Sequence, residues 1–453
     1  MIRFKSLKKM HDQYGSVIRV GPKAISIGDK DLIKSVLVHH DLPKSPIYNI
    51  LKKQGESMFN TTNKQFHKNR RRLVSPAFSI KYLSSLEPFM ASVMNTFINK
   101  INQEIDESTN EEGYAVIDIW CLLQHVAFDI IGETAFGQTF HMIENKGDHC
   151  VMKYMLLRFK LAAYVISYMS IAKFLFSGRI PKKVLDVTIF TILFIYFLNN
   201  IYTSRKEENN NTNTKRKDIL QALIDTQDAT QPEDRLSPEA ILIETYLFLA
   251  AGSETTSNTV GFAIIELLRH PSKLKKLYQE IDTVPFKDGS HHLLCHDTLK
   301  KLPYLNGVIN ETLRLNPVSA VGFPRYTDQD ILLGEHLFIP KETTVVCNGY
   351  YAQLNDKYWP NASQFLPERW IPGEKEFKES KHVDAFFPFS SGSRNCIGKN
   401  FAYQEMRIII ASILKNYEIV PIKDEMQHAT HLRQYLTLCI AKRSFKIKII
   451  KRV

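Results

Sequence analysis

The chain has few cysteines, and no two of them lie close together. Six cysteines occur in 453 residues, at positions 121, 150, 295, 347, 396 and 439. None has the Cys-x-x-Cys spacing of a zinc site, and they are too spread out for the dense disulfide framework of a small secreted protein. The cysteine pattern therefore excludes a zinc-ribbon type of protein and favours a reducing compartment.

The chain also lacks an apolar beginning and a basic, aromatic-rich patch. Residues 1–15 are polar and basic, so they predict neither a signal peptide nor a membrane-spanning helix. Positive charge is abundant, because 59 lysines and arginines against 47 aspartates and glutamates give a net charge of +12. These charges are scattered rather than interleaved with aromatic residues, so we expect no nucleic-acid partner. An acidic protein or an anionic lipid surface would suit them.

One cysteine lies in a segment whose composition suits a metal ligand. Cys396 stands within Phe387–Ala402, between two glycines and two residues after an arginine. A thiolate is a soft ligand that suits iron, and it needs nearby donors to hold its charge. The glycines permit turns that point backbone amides at the sulfur, and the apolar run after Cys396 predicts a helix whose N-terminus favours an anion. The alternative interpretation is a buried structural cysteine beside a turn.

A second segment predicts a long helix with small and polar residues at its centre. Ser237 is a capping residue followed by a proline and an acid, and the apolar periodicity continues to Leu268 before Pro271. The helix would have roughly 30 residues and a length of about 45 Å. Its centre, Ala250–Thr256, has small side chains that leave open space beside the helix, and its hydroxyls can bond to helix carbonyls. A glycine-weakened helix with a polar stripe is the alternative.

Together the two segments resemble the cytochrome P-450 superfamily. Its haem-binding pattern, Phe-x-x-Gly-x-Arg-x-Cys-x-Gly, is matched in order by Phe389, Gly392, Arg394, Cys396 and Gly398. Its oxygen-activating pattern, Ala-Gly-x-Glu-Thr, is matched by Ala251, Gly252, Glu254 and Thr255. The resemblance implies that Cys396 ligates the iron of haem b (iron protoporphyrin IX) and donates electron density that favours O–O cleavage. It also implies that Thr255 hydrogen-bonds dioxygen and that Glu254 relays protons to it.

By the same resemblance, basic side chains would hold the two haem propionates. The family usually has Trp-x-x-x-Arg before a stretch like Ser-Pro-Ala-Phe, and counting back from Ser75 puts His67 and Arg71 at these positions. An imidazole can still donate to a carboxylate, and the i,i+4 spacing keeps both side chains on one helix face. The rival register, Phe66 with Arg70, loses one donor, and a solvated basic face is the alternative. The full set of expected propionate partners is His67, Arg71, Arg325 and Arg394.

Other positions match the family in structure rather than in chemistry. Glu311, Arg314 and Arg369 match its buried charge network, whereas Leu354 and Asn355 stand where a His-Arg pair is usual. The residues that the resemblance suggests for the pocket are all apolar, which implies an apolar substrate. They are Phe248, Ala251, Val318, Val321 and Leu436.

Away from these motifs the sequence predicts simpler structure. It predicts two short strands, Val17–Val20 and Ala24–Ile27, a helical core segment over 117–140, and a polar loop over 204–217. Two apolar stretches lie between the last two of these, at 155–176 and 184–198. The resemblance favours a helix pair that dips into a membrane surface there, and ordinary burial is the other interpretation.

The resemblance covers nearly the whole chain and sets the overall expectation. We expect residues 1–453 to form a single domain, mainly α with a smaller β region. The protein would insert one atom of dioxygen into a small apolar substrate, with electrons from NADPH through an NADPH-cytochrome reductase. It would work at the cytosolic face of the endoplasmic reticulum membrane. Microsomal members begin with a membrane anchor, so either this protein lacks one or the chain is truncated.

Two other functions agree with the sequence. One is a haem-thiolate enzyme that needs no external electrons, such as a peroxygenase or an isomerase, although the adjacent Glu254 and Thr255 favour oxygen activation. The other is a catalytically silent haem-binding protein, which the departures from the family pattern at positions 67, 354 and 355 allow.

Overall fold

The computed structural model describes residues 3–108, 113–145, 157, 160, 196–209, 215–287, 290, 292–380 and 382–452. Over these residues the predicted fold class is confirmed, because helices dominate and the strands are short. Residues 196–209 are helical. The other α-helices are Arg3–Tyr14, Lys30–Lys34, Lys64–Val74, Ile80–Ser85, Glu87–Asp106, Ile119–Ile131, Ile219–Ile224, Pro238–Arg269, Pro271–Asp282, His296–Leu299, Pro303–Leu315, Gly349–Gln353, Lys375–Glu379, Lys399–Asn416 and Lys423–His428.

The strands form small sheets, and one of these carries a candidate site residue. In a four-stranded sheet Ala24–Ile27 lies between Val17–Gly21 and Thr344–Cys347, and Phe323–Tyr326, which contains Arg325, forms the edge. The two strands predicted near the start of the chain are thereby confirmed. The remaining strands are Tyr114–Asp118, Lys446–Lys451 and Tyr417–Pro421 in one sheet, and the hairpins Ile331–Leu333 with Leu337–Ile339 and Leu432–Gln434 with Leu438–Ile440.

The predicted long helix is present as Pro238–Arg269, with 32 residues. The Ser237 hydroxyl caps it by accepting a hydrogen bond of 3.2 Å from the N–H of Ala240. Gly261 lets another helix approach closely, because a Cβ at this position would lie 2.6 Å from the ring of Trp120. Replacing that hydrogen with a methyl group would therefore push the two helices apart.

The predicted buried charge network is confirmed. Arg314 donates to both carboxylate oxygens of Glu311 at 2.7 and 2.9 Å, and Arg369 donates to one of them at 3.2 Å. Trp370 adds an indole N–H to the same carboxylate at 3.0 Å. Glu311 and Arg314 are fully buried, so the bidentate geometry and the extra donors offset the cost of desolvating the charges.

The chain folds as two compact units. One comprises Met1–Ser45, Met94–Val126 and Thr255–Val453, and the other comprises Pro46–Val93 and Ala127–Glu254. The division falls within the long helix, between Glu254 and Thr255. The prediction that residues 1–453 form a single domain stays a prediction.

Two predicted segments have different bounds in the structure. The helical segment predicted over 117–140 begins as the strand Tyr114–Asp118 and is a helix only from Ile119, because Ile117 pairs with Ile447 in a sheet. A π-helical turn, Gly132–Phe136, follows, and the left-handed Gly137 (φ 74°) ends it.

The polar loop predicted over 204–217 begins later than expected. Residues 204–209 continue a helix, and buried Arg205 anchors that helix by donating to Asp218 at 2.7 Å. The apolar stretch 184–198 lies outside the described residues except for its last three, which are helical, and the stretch 155–176 does so except for residues 157 and 160. Among the helices that the structure describes, none is both long and apolar enough to cross a bilayer.

Candidate active site

The loop before Cys396 is held at both of its ends. The backbone N–H of Phe387 donates to Oε1 of Gln353 at 2.8 Å, and this buried amide also donates to two carbonyl oxygens at the end of Pro303–Leu315. Nearer the sulfur, the N–H of Cys396 donates to the carbonyl oxygen of Phe389 at 2.9 Å. The loop is therefore closed on itself and fixed to a buried helix.

Gly392 stands at a position that no other residue fits. Its φ of +74° lies in the left-handed region, and a Cβ would come within 1.9 Å of the carbonyl oxygen of Leu37. The next residue, Ser393, donates its hydroxyl to the carboxylate of Asp41 at 2.6 Å. The glycine of the predicted motif thus lets the loop lie directly against the backbone of residues 37–41.

Phe389 is supported by an aromatic side chain from the helix that follows the loop. Its ring centroid lies 5.4 Å from that of Tyr403, whose hydroxyl donates to Oδ1 of Asn310 at 2.7 Å. The guanidinium of Arg407 lies 5.1 Å from the centroid of the Tyr403 ring. Burial raises the pKa of Tyr403, so its hydroxyl stays a neutral donor.

Of the cysteines that the structure describes, Cys396 alone is exposed. Cys347 and Cys439 are buried, and burial raises the pKa of the Cys347 thiol to about 12. Cys347 therefore stays protonated and is a poor metal ligand. Cys396 lies two residues before Gly398, the N-cap of Lys399–Asn416, where the end of a helix favours an anionic sulfur.

Two arginines of the predicted set are buried in the same unit as Cys396. Arg394 is 7% exposed and Arg325 is 3% exposed. Arg325 donates one long hydrogen bond, 3.4 Å, to the carbonyl oxygen of its neighbour Pro324, and no carboxylate among the described residues pairs with it. A buried guanidinium is costly unless a negative group satisfies it. Arg325 therefore fits a carboxylate of a bound group.

The donor set of this unit fits haem b. An exposed sulfur on a fixed loop suits iron, and buried guanidinium groups suit the two propionates of the porphyrin. Cys396 would hold the iron, and Arg325 and Arg394 would hold the carboxylates.

The residues that match the oxygen-activating pattern all lie on the long helix, Pro238–Arg269. Ala251 is exposed although Leu249 and Ser253 on either side are buried, so open space lies in front of the helix at this residue. Glu254 is 3% exposed and Thr255 is half-buried. Ala251 and Glu254 belong to one unit and Thr255 to the other.

His67 and Arg71 lie one turn apart on Lys64–Val74, with His67 buried and Arg71 half-buried. Arg70 is engaged elsewhere, because it donates to the fully buried carboxylate of Glu244 at 3.1 Å. At 3.6 residues per turn, the rival pair of positions 66 and 70 faces roughly a quarter turn away. The contact of Arg70 therefore favours the pair His67 and Arg71 as the site-facing residues.

The predicted pocket residues differ in how deeply they are buried. Val318, Val321 and Leu436 are half-buried, and the carbonyl oxygen of Val318 accepts a hydrogen bond of 2.8 Å from the N–H of Leu438. This bond ties two of the predicted lining segments together. Phe248 is 6% exposed and stacks edge-on against Phe78, with ring centroids 5.0 Å apart.

Three supporting residues were missed by the sequence reasoning. Gln353 and Asp41 fix the cysteine loop, but they lie far from it in sequence and no local pattern points to them. Tyr403 supports Phe389 from the predicted helix, where an aromatic residue seven positions after Cys396 was an available signal.

Comparison with known proteins places this geometry in a family. The family model described as "Cytochrome P450" matches residues 1–449. The cytochrome P-450 monooxygenase FUS8 of Gibberella moniliformis is 33% identical over 454 residues, covering 98% of this chain and 83% of that protein.

Two further relatives come from other organisms. The benzoate 4-monooxygenase bphA of Aspergillus niger is 28% identical over 441 residues, covering 92% of this chain and 83% of that protein. The human cytochrome P-450 3A7 is 32% identical over 417 residues, covering 88% of this chain and 77% of that protein. The same comparison thus reaches relatives from Aspergillus niger and from human.

Proposed function

The chain belongs to the cytochrome P-450 family of haem-thiolate monooxygenases, and we propose that it hydroxylates a small apolar molecule with electrons from NADPH, delivered by a flavin-bearing reductase. The reaction would consume one dioxygen, two electrons and two protons, and would release one oxygen atom as water. The observation that carries the proposal is the exposed Cys396 on a loop fixed by Gln353 and Gly392.

Cys396 would hold the haem iron through its sulfur. When bound, haem supplies the iron centre at which dioxygen is reduced, and the thiolate favours O–O cleavage. The loop contributes rigidity, since its closure by the Phe389 carbonyl and its contact at Leu37 leave the sulfur little freedom. A rigid ligand loses less conformational freedom when it binds the metal.

Arg325 and Arg394 would neutralise the propionates and hold the ring in place, and we propose His67 and Arg71 as further propionate partners. Arginine suits this role because its planar fork binds a carboxylate through two hydrogen bonds. Arg325 is supported by its burial without a carboxylate, whereas His67 and Arg71 rest on their shared helix face.

Glu254 and Thr255 would manage the two protons. The Glu254 carboxyl is buried in the middle of the long helix, and the Thr255 hydroxyl can both accept and donate a hydrogen bond. A hydroxyl beside a buried carboxyl can pass a proton inward while water is kept out. This arrangement favours dioxygen over peroxide as the oxidant, because peroxide brings its own protons.

An apolar substrate is supported by the half-buried Val318, Val321 and Leu436. The name of the Aspergillus niger relative shows that one relative acts on benzoate, so a flat aromatic substrate is a natural first trial. We place the protein at the cytosolic face of the endoplasmic reticulum, in peripheral contact with the membrane, where a reductase could supply electrons.

The proposed activity is tested with the haem-loaded protein, NADPH, an NADPH-cytochrome reductase and isotopically labelled dioxygen. The expected result is a hydroxylated product that carries one labelled oxygen. Thr255→Ala should lower the product formed per NADPH by at least about tenfold, because proton delivery fails while electrons still arrive. Thr245→Ala is a matched control, since this buried hydroxyl on the same helix bonds, among the residues that the structure describes, only to the Ile241 carbonyl. Product formed with peroxide but never with NADPH and reductase would contradict the proposal.

A further inference from the structure

A cysteine, a glutamine and a histidine share one face of the helix Ile119–Ile131. Gln124 and His125 follow Cys121 by three and four positions, so the three side chains lie on the same side of the helix. Sγ of Cys121 lies 3.6 Å from Nε2 of His125, within hydrogen-bond distance for a sulfur atom. None of the three takes part in the proposed haem site, so the cluster needs an explanation of its own.

The members of this cluster differ in exposure in the way that a reactive thiol requires. Cys121 is half-buried, whereas Gln124 and His125 are each 8% exposed. A small solute can therefore reach the sulfur, while the surrounding protein holds the imidazole beside it. Cys347 and Cys439, in contrast, are buried. A reachable thiol next to a fixed base is the arrangement of an activated cysteine nucleophile.

The backbone around Cys121 also favours a thiolate. Cys121 lies in the first turn of a helix of 13 residues, where the backbone N–H dipoles favour an anion. The carboxylate of Asp118 opposes a second negative charge nearby. Its Oδ1 atom is engaged, however, because it accepts from the N–H of Cys121 at 3.1 Å and from the N–H of Phe445 at 3.0 Å. The helix end and the imidazole thus act together on the thiol.

Gln124 supplies a second observation that points to a group on this face. Its amide nitrogen is buried and has no hydrogen-bond partner among the described residues. A buried N–H donor without an acceptor is unfavourable, so most such groups in folded proteins have one. An oxygen atom bonded to the sulfur of Cys121, one turn away on the same face, would provide that acceptor.

We propose that Cys121 is a modification site, a thiol that hydrogen peroxide oxidises to a sulfenic acid. His125 takes the thiol proton, and the thiolate sulfur attacks one oxygen of the peroxide. The O–O bond breaks, and the leaving hydroxide takes the proton back from the imidazolium and becomes water. The sulfur loses two electrons and the peroxide gains them, and the Gln124 amide donates to the new oxygen. This reaction needs neither NADPH nor a reductase, so it goes beyond the proposed function.

Cys295 offers a control within the same molecule. It is half-buried like Cys121, and among the described residues no imidazole bonds to its sulfur. The histidine next to it in sequence, His296, faces Arg407 instead. Exposure alone therefore predicts similar reactivity for the two cysteines, whereas the cluster predicts that Cys121 reacts faster.

The proposal is tested by treating the haem-loaded protein with hydrogen peroxide in the presence of dimedone, which traps sulfenic acids. Mass spectrometry of the digested protein then locates the label and follows its rate at each cysteine. We expect Cys121 to be labelled at least about tenfold faster than Cys295, because a thiolate is the reactive form. Equal labelling of the two, or no label at Cys121, would overturn the proposal.

The role of His125 is tested by comparing two reagents. Peroxide needs a proton for its leaving hydroxide, whereas iodoacetamide releases iodide, which needs none. His125→Phe should therefore slow oxidation at Cys121 by at least about tenfold and slow alkylation by only about two- to threefold. His336→Phe, at a histidine with 90% side-chain exposure in the hairpin of Ile331–Leu333 and Leu337–Ile339, should leave both rates unchanged.

An equal slowing of both reactions in His125→Phe would show that His125 affects access to the sulfur rather than proton transfer. Gln124→Leu should slow oxidation about threefold and leave alkylation unchanged, because only oxidation creates the new acceptor. The haem spectrum of each variant shows whether it has folded. If a variant fails to fold, the comparison of Cys121 with Cys295 in the wild-type protein still decides whether the site exists.

Discussion

Single residues decide whether the cysteine loop can form, and Gly392 is the sharpest case. Gly392→Ala would place a Cβ 1.9 Å from the Leu37 carbonyl oxygen, at a φ of +74°. The left-handed conformation alone costs about 1–2 kcal/mol, and the backbone clash adds to it. We expect the free energy of unfolding to fall by at least about 2 kcal/mol and haem incorporation to be lost.

Gly398→Ala is the matched control for this prediction. Gly398 has a φ of −81°, and its added Cβ would lie 3.9 Å from the nearest atom, the sulfur of Cys396, which is an ordinary contact. Urea unfolding should show a change within about 0.5 kcal/mol. Equal stability losses in the two variants would show that the close approach at Leu37 does not matter.

Arg325 should matter for haem and not for the fold. Arg325→Leu removes a buried guanidinium that pairs with no carboxylate in the described part of the chain, so the haem-free protein should keep its stability or gain some. Haem should dissociate roughly 10- to 100-fold faster, since hydrogen bonds to a charged group contribute about 1.5–3 kcal/mol. Haem transfer to an acceptor protein measures this rate.

Arg369→Leu provides the contrasting control. It takes one cation from the buried Glu311, so it should lower the stability of the haem-free protein by about 3–5 kcal/mol. If Arg325→Leu destabilised the haem-free protein to the same extent, Arg325 would be a structural residue rather than a propionate partner.

At the scale of elements, Glu368 links a helix to the turn that carries Arg369. Burial by itself raises the pKa of Glu368, but hydrogen bonds from Lys273 and Lys276 outweigh it, and the pKa lies below its ordinary value of 4.5. A carboxyl with a lowered folded-state pKa stabilises the fold above its unfolded pKa, and this contribution is lost as pH falls through the folded value.

We therefore expect Glu368→Gln to destabilise the protein at pH 6–7 and to converge on the wild type as pH falls below 4.5. Urea unfolding from pH 3.5 to 7 measures the difference. Glu379→Gln, in an exposed pair with Lys375 at 3.7 Å, should track the wild type throughout. A gap between Glu368→Gln and wild type that stays constant with pH would contradict the assignment.

The elements that could be predicted are those whose signals are local. The Ser237 cap, the long helix and the turn around Gly392 depend on residues a few positions apart, and each was predicted. Residues 117 and 118 were predicted as helix although they end the strand Tyr114–Asp118, because the pairing of this strand with Lys446–Lys451 joins residues more than 300 positions apart.

For the whole molecule, the net charge of +12 bears on its redox partner. An acidic reductase should associate faster with a basic protein, and salt screens this attraction with a Debye length of about 8 Å at physiological ionic strength. We expect the rate of electron transfer from reductase to fall severalfold between low and high salt. Stopped-flow reduction over a range of ionic strength measures it.

The control uses the same enzyme without the partner. Chemical reduction by dithionite over the same salt range needs no docking and should change little. A reductase-dependent rate that is independent of salt would contradict an electrostatic association.

The central claim is that the Cys396 thiolate ligates haem iron, and the carbon-monoxide difference spectrum of the reduced, haem-loaded protein tests it most directly. We predict a Soret band at the position characteristic of thiolate ligation, retained in Cys347→Ala and abolished in Cys396→Ala. If Cys396→Ala or Cys396→Ser kept that band, Cys396 would not be the ligand.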